Sequence, residues 1–82
     1  MTPAEAIRAF ISETFFVDDF TNDESFLRSG TIDSTGMLEL ISFVETNFGL
    51  EIDDEELVPE NLDSVDNLVG FLVRKGVSAT AV

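Results

Sequence analysis

The sequence predicts a small all-α domain, namely a bundle of three main helices plus one short helix, with a long first loop. Three stretches place apolar residues at helical spacing between capping signals, and no stretch shows the alternation of a half-buried strand. The 82 residues suffice for one domain, and 44% of them are hydrophobic, which provides material for a core. We expect the domain to span residues 1–76 and residues 77–82 to form a flexible tail.

The first main helix is predicted from its capping signals. Thr2 suits the N-cap, Pro3 suits the first helical position, and Glu5 completes a capping box. Apolar residues then recur at helical spacing to about Phe16. They are Ile7, Phe10, Ile11 and Phe15.

The connection that follows, residues 17–33, is long for so small a domain. Such length is typical of a loop that is functional or anchored. We expect Phe20, Phe26 and Leu27 to anchor it in the core, and residues 23–27 to form a short helical turn.

The central helix is predicted to begin at Asp33 or Ser34 and to end at Gly49, a favoured C-cap residue. Side chains within an apolar arc of about 100° should face the core. They are Met37, Leu40, Ile41, Val44 and Phe48. On the solvent side lie Thr35, Glu39, Ser42 and Thr46, with Ser34, Leu38 and Glu45 along the border.

The remaining residues predict one short and one long helix. We expect a helical turn over residues 53–57, ended by Pro59 because the residue before a proline avoids the helical region. The last main helix should be capped by Asp63 or Ser64 and stopped by Gly76. Its core residues are Val65, Leu68, Val69 and Leu72.

Charge restricts the kinds of partner. Seventeen acidic residues against four basic ones give a formal net charge of −13. Such a surface repels nucleic acid and anionic membranes and favours basic protein patches. No apolar run approaches the roughly 20 residues that span a bilayer, and the N-terminus lacks the features of a secretion signal. We therefore expect a monomer with protein partners, and neither nucleic-acid nor membrane binding.

The absence of cysteine and histidine restricts the chemistry. Without cysteine there are no disulfides, thiolate metal sites or thiol nucleophiles, which fits a cytoplasmic protein. Without histidine the commonest general base and metal ligand are missing. Residues 18–24 have the composition of a calcium loop but lack its glycine and ligand spacing, so we expect no metal site. The chain is predicted not to be an enzyme, and its chemistry must come from a cofactor or a partner.

The segment from Gly30 to Ile41 carries the functional signal. It places Ser34 at a helix start directly after the long loop, where a phosphate ester would lie beside unpaired N–H groups at the positive end of the helix dipole. Gly36 costs the helix about 1 kcal/mol relative to Ala, and we interpret it as keeping the flank of Ser34 low for an approaching protein. On these residues alone, an ordinary helix cap at Asp33–Ser34 remains an alternative.

The same segment resembles a known motif. Asp33–Ser34 followed by Leu38–Ile41 is similar to the phosphopantetheine attachment motif of acyl and peptidyl carrier proteins. The similarity continues through 44–45, 48–52, 54–56 and 64–68, and it covers most of residues 26–72. Thr35–Gly36 after the serine, with the sequence at 58–62, is more similar to stand-alone D-alanine and amino-acid carriers.

This resemblance implies a carrier with an acyl-carrier-protein-like fold. A phosphopantetheinyl transferase would move the phosphopantetheine of coenzyme A onto Ser34, with Asp33 helping to position that enzyme. The arm would carry an acyl or aminoacyl group as a thioester, received from a cargo-loading ligase or adenylating enzyme and passed to acyl-accepting enzymes with basic patches. The residues expected to contact partners are Thr35, Gly36, Leu38, Glu39, Ser42 and Glu45. The alternative is an unmodified acidic adaptor that keeps the carrier fold.

Overall fold

The computed structural model describes residues 2–78, and in this range every regular element is a helix. The elements are α1 (Pro3–Phe15), α2 (Phe26–Ser29), α3 (Ser34–Phe48), a 3-10 turn (Asp54–Glu56), α4 (Pro59–Leu62) and α5 (Val65–Arg74). The three long helices α1, α3 and α5 confirm the predicted bundle. The short helices are more numerous than the single one expected.

Both ends of α1 follow from local hydrogen bonds. The Thr2 hydroxyl accepts from the Glu5 amide at 3.2 Å, and the Glu5 carboxylate accepts from the Thr2 amide at 2.8 Å. These bonds confirm the capping box, and the bond from the Thr2 amide lowers the pKa of Glu5. At the other end, Phe16 adopts a left-handed conformation and its amide donates to the Ser12 carbonyl at 3.0 Å.

The core lies where α1, α3 and α5 meet beneath the first connection. Its buried members are Ile7, Ile11, Phe20, Phe26, Ile32, Leu40, Val44, Leu62, Val65, Leu68, Phe71 and Leu72. Each fully buried side chain of this size stabilises the fold by about 1.5–3 kcal/mol. Phe71 was not among the predicted core residues of α5; it lies one turn after Leu68, on the same side of the helix.

The first connection is anchored by two of its three predicted residues. Phe20 and Phe26 are buried, whereas Leu27 is 47% exposed, so the prediction for Leu27 is wrong. The reason is the position of α2, which begins at Phe26 because the Ser25 hydroxyl caps it by accepting from the Arg28 amide at 3.1 Å. Successive helical residues point about 100° apart, so Phe26 turns inward and its neighbour turns outward.

The second connection contains a helix, α4, that was not among the predicted elements. The predicted turn is present as the 3-10 segment, but Pro59 does more than end it, since Pro59 is the first residue of α4. A proline fits this position because its missing N–H is not needed there. Ser64 then caps α5 by accepting from the Asn67 amide at 3.0 Å.

The C-terminal end of α5 is held more tightly than expected. The Val77 amide donates to the Leu72 carbonyl at 2.9 Å, and the Val77 side chain packs against the core. The packed part of the chain therefore includes Val77, which we had assigned to the flexible tail. Residues 79–82 of that predicted tail lie outside the described residues.

Candidate functional site

Ser34 is the first residue of α3, and its side chain is exposed. The amides of Ser34 and Thr35 lie in the first helical turn, where backbone N–H groups have no intrahelical acceptor. The residue before the cap is fixed in place, because Ile32 is buried and its amide donates to the Phe26 carbonyl at 3.3 Å. An accessible hydroxyl thus stands at the positive end of a 15-residue helix, on an anchored loop.

Asp33 is the N-cap of α3. Its Oδ1 accepts from the Gly36 amide at 2.7 Å, which stabilises the helix start directly beneath Ser34. The side chain is exposed, so the second carboxylate oxygen is accessible from solvent. Asp33 can therefore cap α3 and contact another molecule at the same time.

Gly36 requires a correction. It is buried, and a Cβ at this position would lie 2.8 Å from Ile32 Cγ2 and 2.8 Å from Phe15 Cε1. The glycine allows the end of α1 and the preceding loop to pack closely against α3. The interpretation that it keeps an outer flank low for a partner is wrong, because the position faces the interior.

The solvent side of α3 carries the other residues predicted to contact partners. Thr35, Leu38, Glu39 and Ser42 are exposed, and Leu38 leaves 67% of its side chain in solvent. Leu38, Glu39 and Ser42 line an open hollow of about 590 Å³ between α1 and α3. Its other lining residues are Phe10, Phe43, Thr46 and Asn47. The rings of Phe10 and Phe43 stack at 4.2 Å and form an apolar part of its wall.

Glu45 has a contact within the chain. Its Oε2 accepts from the Ile52 amide at 2.8 Å, which fastens the segment after α3 to the helix. The carboxylate is half-buried, in contrast to the exposed Glu39.

A second hollow opens beside Ser34. It measures about 270 Å³, and its wall is mostly apolar. Its lining residues are Leu27, Ser34, Met37, Leu38, Ile41, Leu57, Val58, Pro59, Leu62 and Asp63. Leu38 therefore lies between the two hollows. This hollow was not predicted, because its wall combines three elements that are distant in sequence. The available signal was the apolar pair Leu57–Val58 at the end of the predicted turn.

Asp63 holds the wall of this hollow together. Its carboxylate accepts from the Ser25 hydroxyl and, at 3.0 Å, from the Leu27 amide. Its own carbonyl accepts from the Phe26 amide at 2.9 Å. The junction of α4 and α5 thus fixes α2, and with it the loop that leads to Ser34.

Within residues 2–78, no three metal-ligating side chains come together in a way that could hold an ion. In the same range, no helix combines the length and apolarity needed to cross a bilayer.

Fold and site together define a small helical domain that exposes a serine at a helix start, beside an apolar hollow. No family model matches the sequence. The acyl carrier protein of Petrotoga mobilis, however, is 36% identical over 73 residues, which cover 87% of this chain and 84% of that protein. The chain belongs to the acyl carrier protein family, as the motif around Ser34 predicted.

Proposed function

We propose that the protein is a stand-alone carrier that holds an acyl or aminoacyl group as a thioester on a phosphopantetheine arm attached to Ser34. The observation that carries this proposal is the exposed Ser34 hydroxyl at the start of α3, in a chain of the acyl carrier protein family. The arm would end in a thiol, which supplies the thioester chemistry that a chain without cysteine cannot provide.

The surroundings of Ser34 fit a phosphodiester. The negative phosphate would lie beside the amides of Ser34 and Thr35 and the positive end of the α3 dipole. Formation of the ester would join Ser34 Oγ to the phosphorus of the pantetheine phosphate of coenzyme A. The pyrophosphate bond of coenzyme A would break, and the nucleotide would leave with the bridging oxygen as adenosine 3′,5′-bisphosphate. The hydroxyl proton would pass to a base of the phosphopantetheinyl transferase.

Asp33 supports this step as a positioning residue. One carboxylate oxygen caps α3 and thereby fixes the backbone at Ser34. The exposed second oxygen is available to a metal ion or a donor of the transferase.

The partners would act on the exposed face of α3. A cargo-loading ligase or adenylating enzyme and the acyl-accepting enzymes would contact Thr35, Leu38, Glu39 and Ser42, all of them exposed. The negative charge favours partners with basic patches. An apolar cargo would pack against the mostly apolar wall of the hollow beside Ser34.

The deciding experiment is intact mass spectrometry after incubation with coenzyme A and a purified broad-specificity phosphopantetheinyl transferase. We expect one added arm on the parent chain and on Ser78→Ala, a matched control at an exposed serine beside the far end of α3. Ser34→Ala should remain folded and gain none. An arm on Ser12, Ser25, Ser29, Ser42, Ser64 or Ser78 instead would contradict the assignment to Ser34.

The alternative function is an unmodified acidic adaptor that keeps the carrier fold. It predicts a parent chain that is folded, is recovered without an arm from cells, and gains none from the transferase. The same mass measurement therefore distinguishes the two functions.

A further inference from the structure

Phe16 has two features that are unfavourable for stability. Its side chain is 89% exposed, the highest exposure among the large apolar residues that the structure describes. Its backbone is left-handed, with φ of 58°, and within residues 2–78 no other non-glycine residue has a positive φ. At the three other left-handed positions described, the chain uses glycine: Gly30, Gly49 and Gly76.

Neither feature helps the fold. A left-handed backbone is strained for a bulky L-residue, and this is why helices usually end on glycine there. An exposed phenyl ring contributes little to the core and presents a large apolar surface to water. Exceptions to local rules of this kind concentrate at functional positions, where a contact with another molecule offsets their cost.

The position of Phe16 places it near Ser34. The ring of the preceding residue, Phe15, packs against Gly36 in the first turn of α3, so the end of α1 lies beside the start of α3. A protein interface of ordinary size covers about 800 Å² on each partner. Because the Cα extents of this molecule are only 29 × 28 × 20 Å, an interface of this size centred on Ser34 is wide enough to reach the end of α1.

The charges around Phe16 indicate the chemistry of its partner. Glu13, Asp18 and Asp19 are exposed on either side of it in the chain. Arg8, the cation of α1, is engaged elsewhere, with its guanidinium 2.8 Å from Asn22 Oδ1 and 4.1 Å from the centre of the Phe20 ring. A complementary surface would therefore combine an apolar pocket with a basic rim.

We propose that Phe16 is an anchor that inserts into a basic-rimmed apolar pocket of the enzyme that modifies Ser34. The inference rests on the proposed function. That enzyme meets the carrier before any arm or cargo is present, so its affinity must come from the surface of the protein itself. Buried aromatic anchors carry a large share of the binding energy in such interfaces.

The test replaces Phe16 by residues that tolerate a left-handed backbone. Phe16→Gly and Phe16→Asn relieve the strain and should raise the melting temperature, by about 4 °C for glycine. With coenzyme A and a purified phosphopantetheinyl transferase, both should lower kcat/KM for arm addition at least about tenfold, through a higher KM for the carrier.

A matched control is Val73→Ala. Val73 is 47% exposed in the last turn of α5. The nearby Val77 lines a surface with Asn47 and Phe48 at the far end of α3, about 20 Å from its start. This variant should leave kcat/KM unchanged.

The possible outcomes distinguish failure of the inference from failure of the proposed function. An unchanged kcat/KM in the Phe16 variants overturns the inference, as does an equal loss in Val73→Ala. A lower melting temperature or failure to fold shows that the ring supports the fold, which also overturns it. If the parent chain gains no arm, the proposed function itself fails and the inference fails with it.

Discussion

At the scale of single residues, two helical glycines show how differently the same residue type serves the fold. A Cβ at Gly36 would lie 2.8 Å from both Ile32 Cγ2 and Phe15 Cε1. At Gly70 in α5, the nearest atom to a Cβ would be the flexible Arg74 Nη1, at 3.6 Å. Packing therefore requires a glycine at the first position, whereas the second has room for a side chain.

Because of this contrast, alanine should change the unfolding free energy in opposite directions at the two positions. Gly36→Ala gains about 1 kcal/mol of helix propensity but must displace the two side chains, and overpacking of a core costs about 1–3 kcal/mol. We expect a net loss of unfolding free energy in denaturant titrations. Gly70→Ala should raise this free energy by up to about 1 kcal/mol. A stabilised Gly36→Ala variant would show that the packing around Phe15 relaxes easily.

At the scale of elements, the three long helices could be predicted because each carries its own boundary signals. The capping box of α1 depends on Thr2 and Glu5 alone, and the end of α3 depends on Gly49. These signals act within a few residues and do not depend on the rest of the fold. The prediction of α3 therefore also placed Ser34 at a helix start and Leu38 at an exposed border.

The features that escaped prediction depend on tertiary contacts. α2 is fixed by bonds to Asp63, which follows it by more than 30 residues, and this position turns Leu27 outward. α4 has only four residues, too few for a periodic pattern. The inward-facing role of Gly36 depends on the approach of Phe15 from another helix. No local pattern encodes these contacts.

The second prediction at this scale concerns the exposed face of α3. Leu38 and Glu39 are both exposed, so Leu38→Ala and Glu39→Gln should each change the unfolding free energy by less than about 1 kcal/mol. We expect Leu38→Ala to reduce loading by the cognate ligase even at low salt, because an apolar interface contact is lost. Glu39→Gln should lower the association rate and flatten its salt dependence.

Stability and loading are measured separately to interpret this pair. If Leu38→Ala is strongly destabilised while the folded fraction is loaded normally, Leu38 supports the hollows rather than a partner. If Glu39→Gln keeps the salt dependence of the parent, the basic patch of the ligase faces another part of the acidic surface.

At the scale of the whole molecule, three of the four cations join distant segments. Arg8 contacts Asn22 and Phe20 of the first connection, Arg74 donates to Asn61 Oδ1 at 2.7 Å, and Lys75 pairs with Glu56 at 3.0 Å. The bond from the Asp53 amide and then the contact with Lys75 lower the pKa of Glu56. The pair Lys75–Glu56 is the single ion pair among residues 2–78. Most of the 17 carboxylates therefore have no cationic partner.

The last prediction follows from this imbalance of charge. A net charge of −13 is confined to a molecule whose Cα extents are 29 × 28 × 20 Å. The Debye length is about 30 Å at 0.01 M salt and about 10 Å at 0.1 M, so at low salt the charges repel across the whole molecule, and at moderate salt only near neighbours interact. Because small domains have only about 5–15 kcal/mol of stability, relief of this repulsion should be visible. We expect the melting temperature to rise by several degrees between 0.01 and 0.2 M sodium chloride, since each kcal/mol of stability corresponds to roughly 4–8 °C.

Glu55→Gln, which removes one exposed charge near Asp53 and Asp54, should melt higher than the parent at low salt and should lose most of that advantage at 0.2 M. A melting temperature that is flat over this range would mean that the carboxylates are dispersed well enough for repulsion not to limit stability. In that case the acidic surface would serve the encounter with basic partners at little cost to the fold.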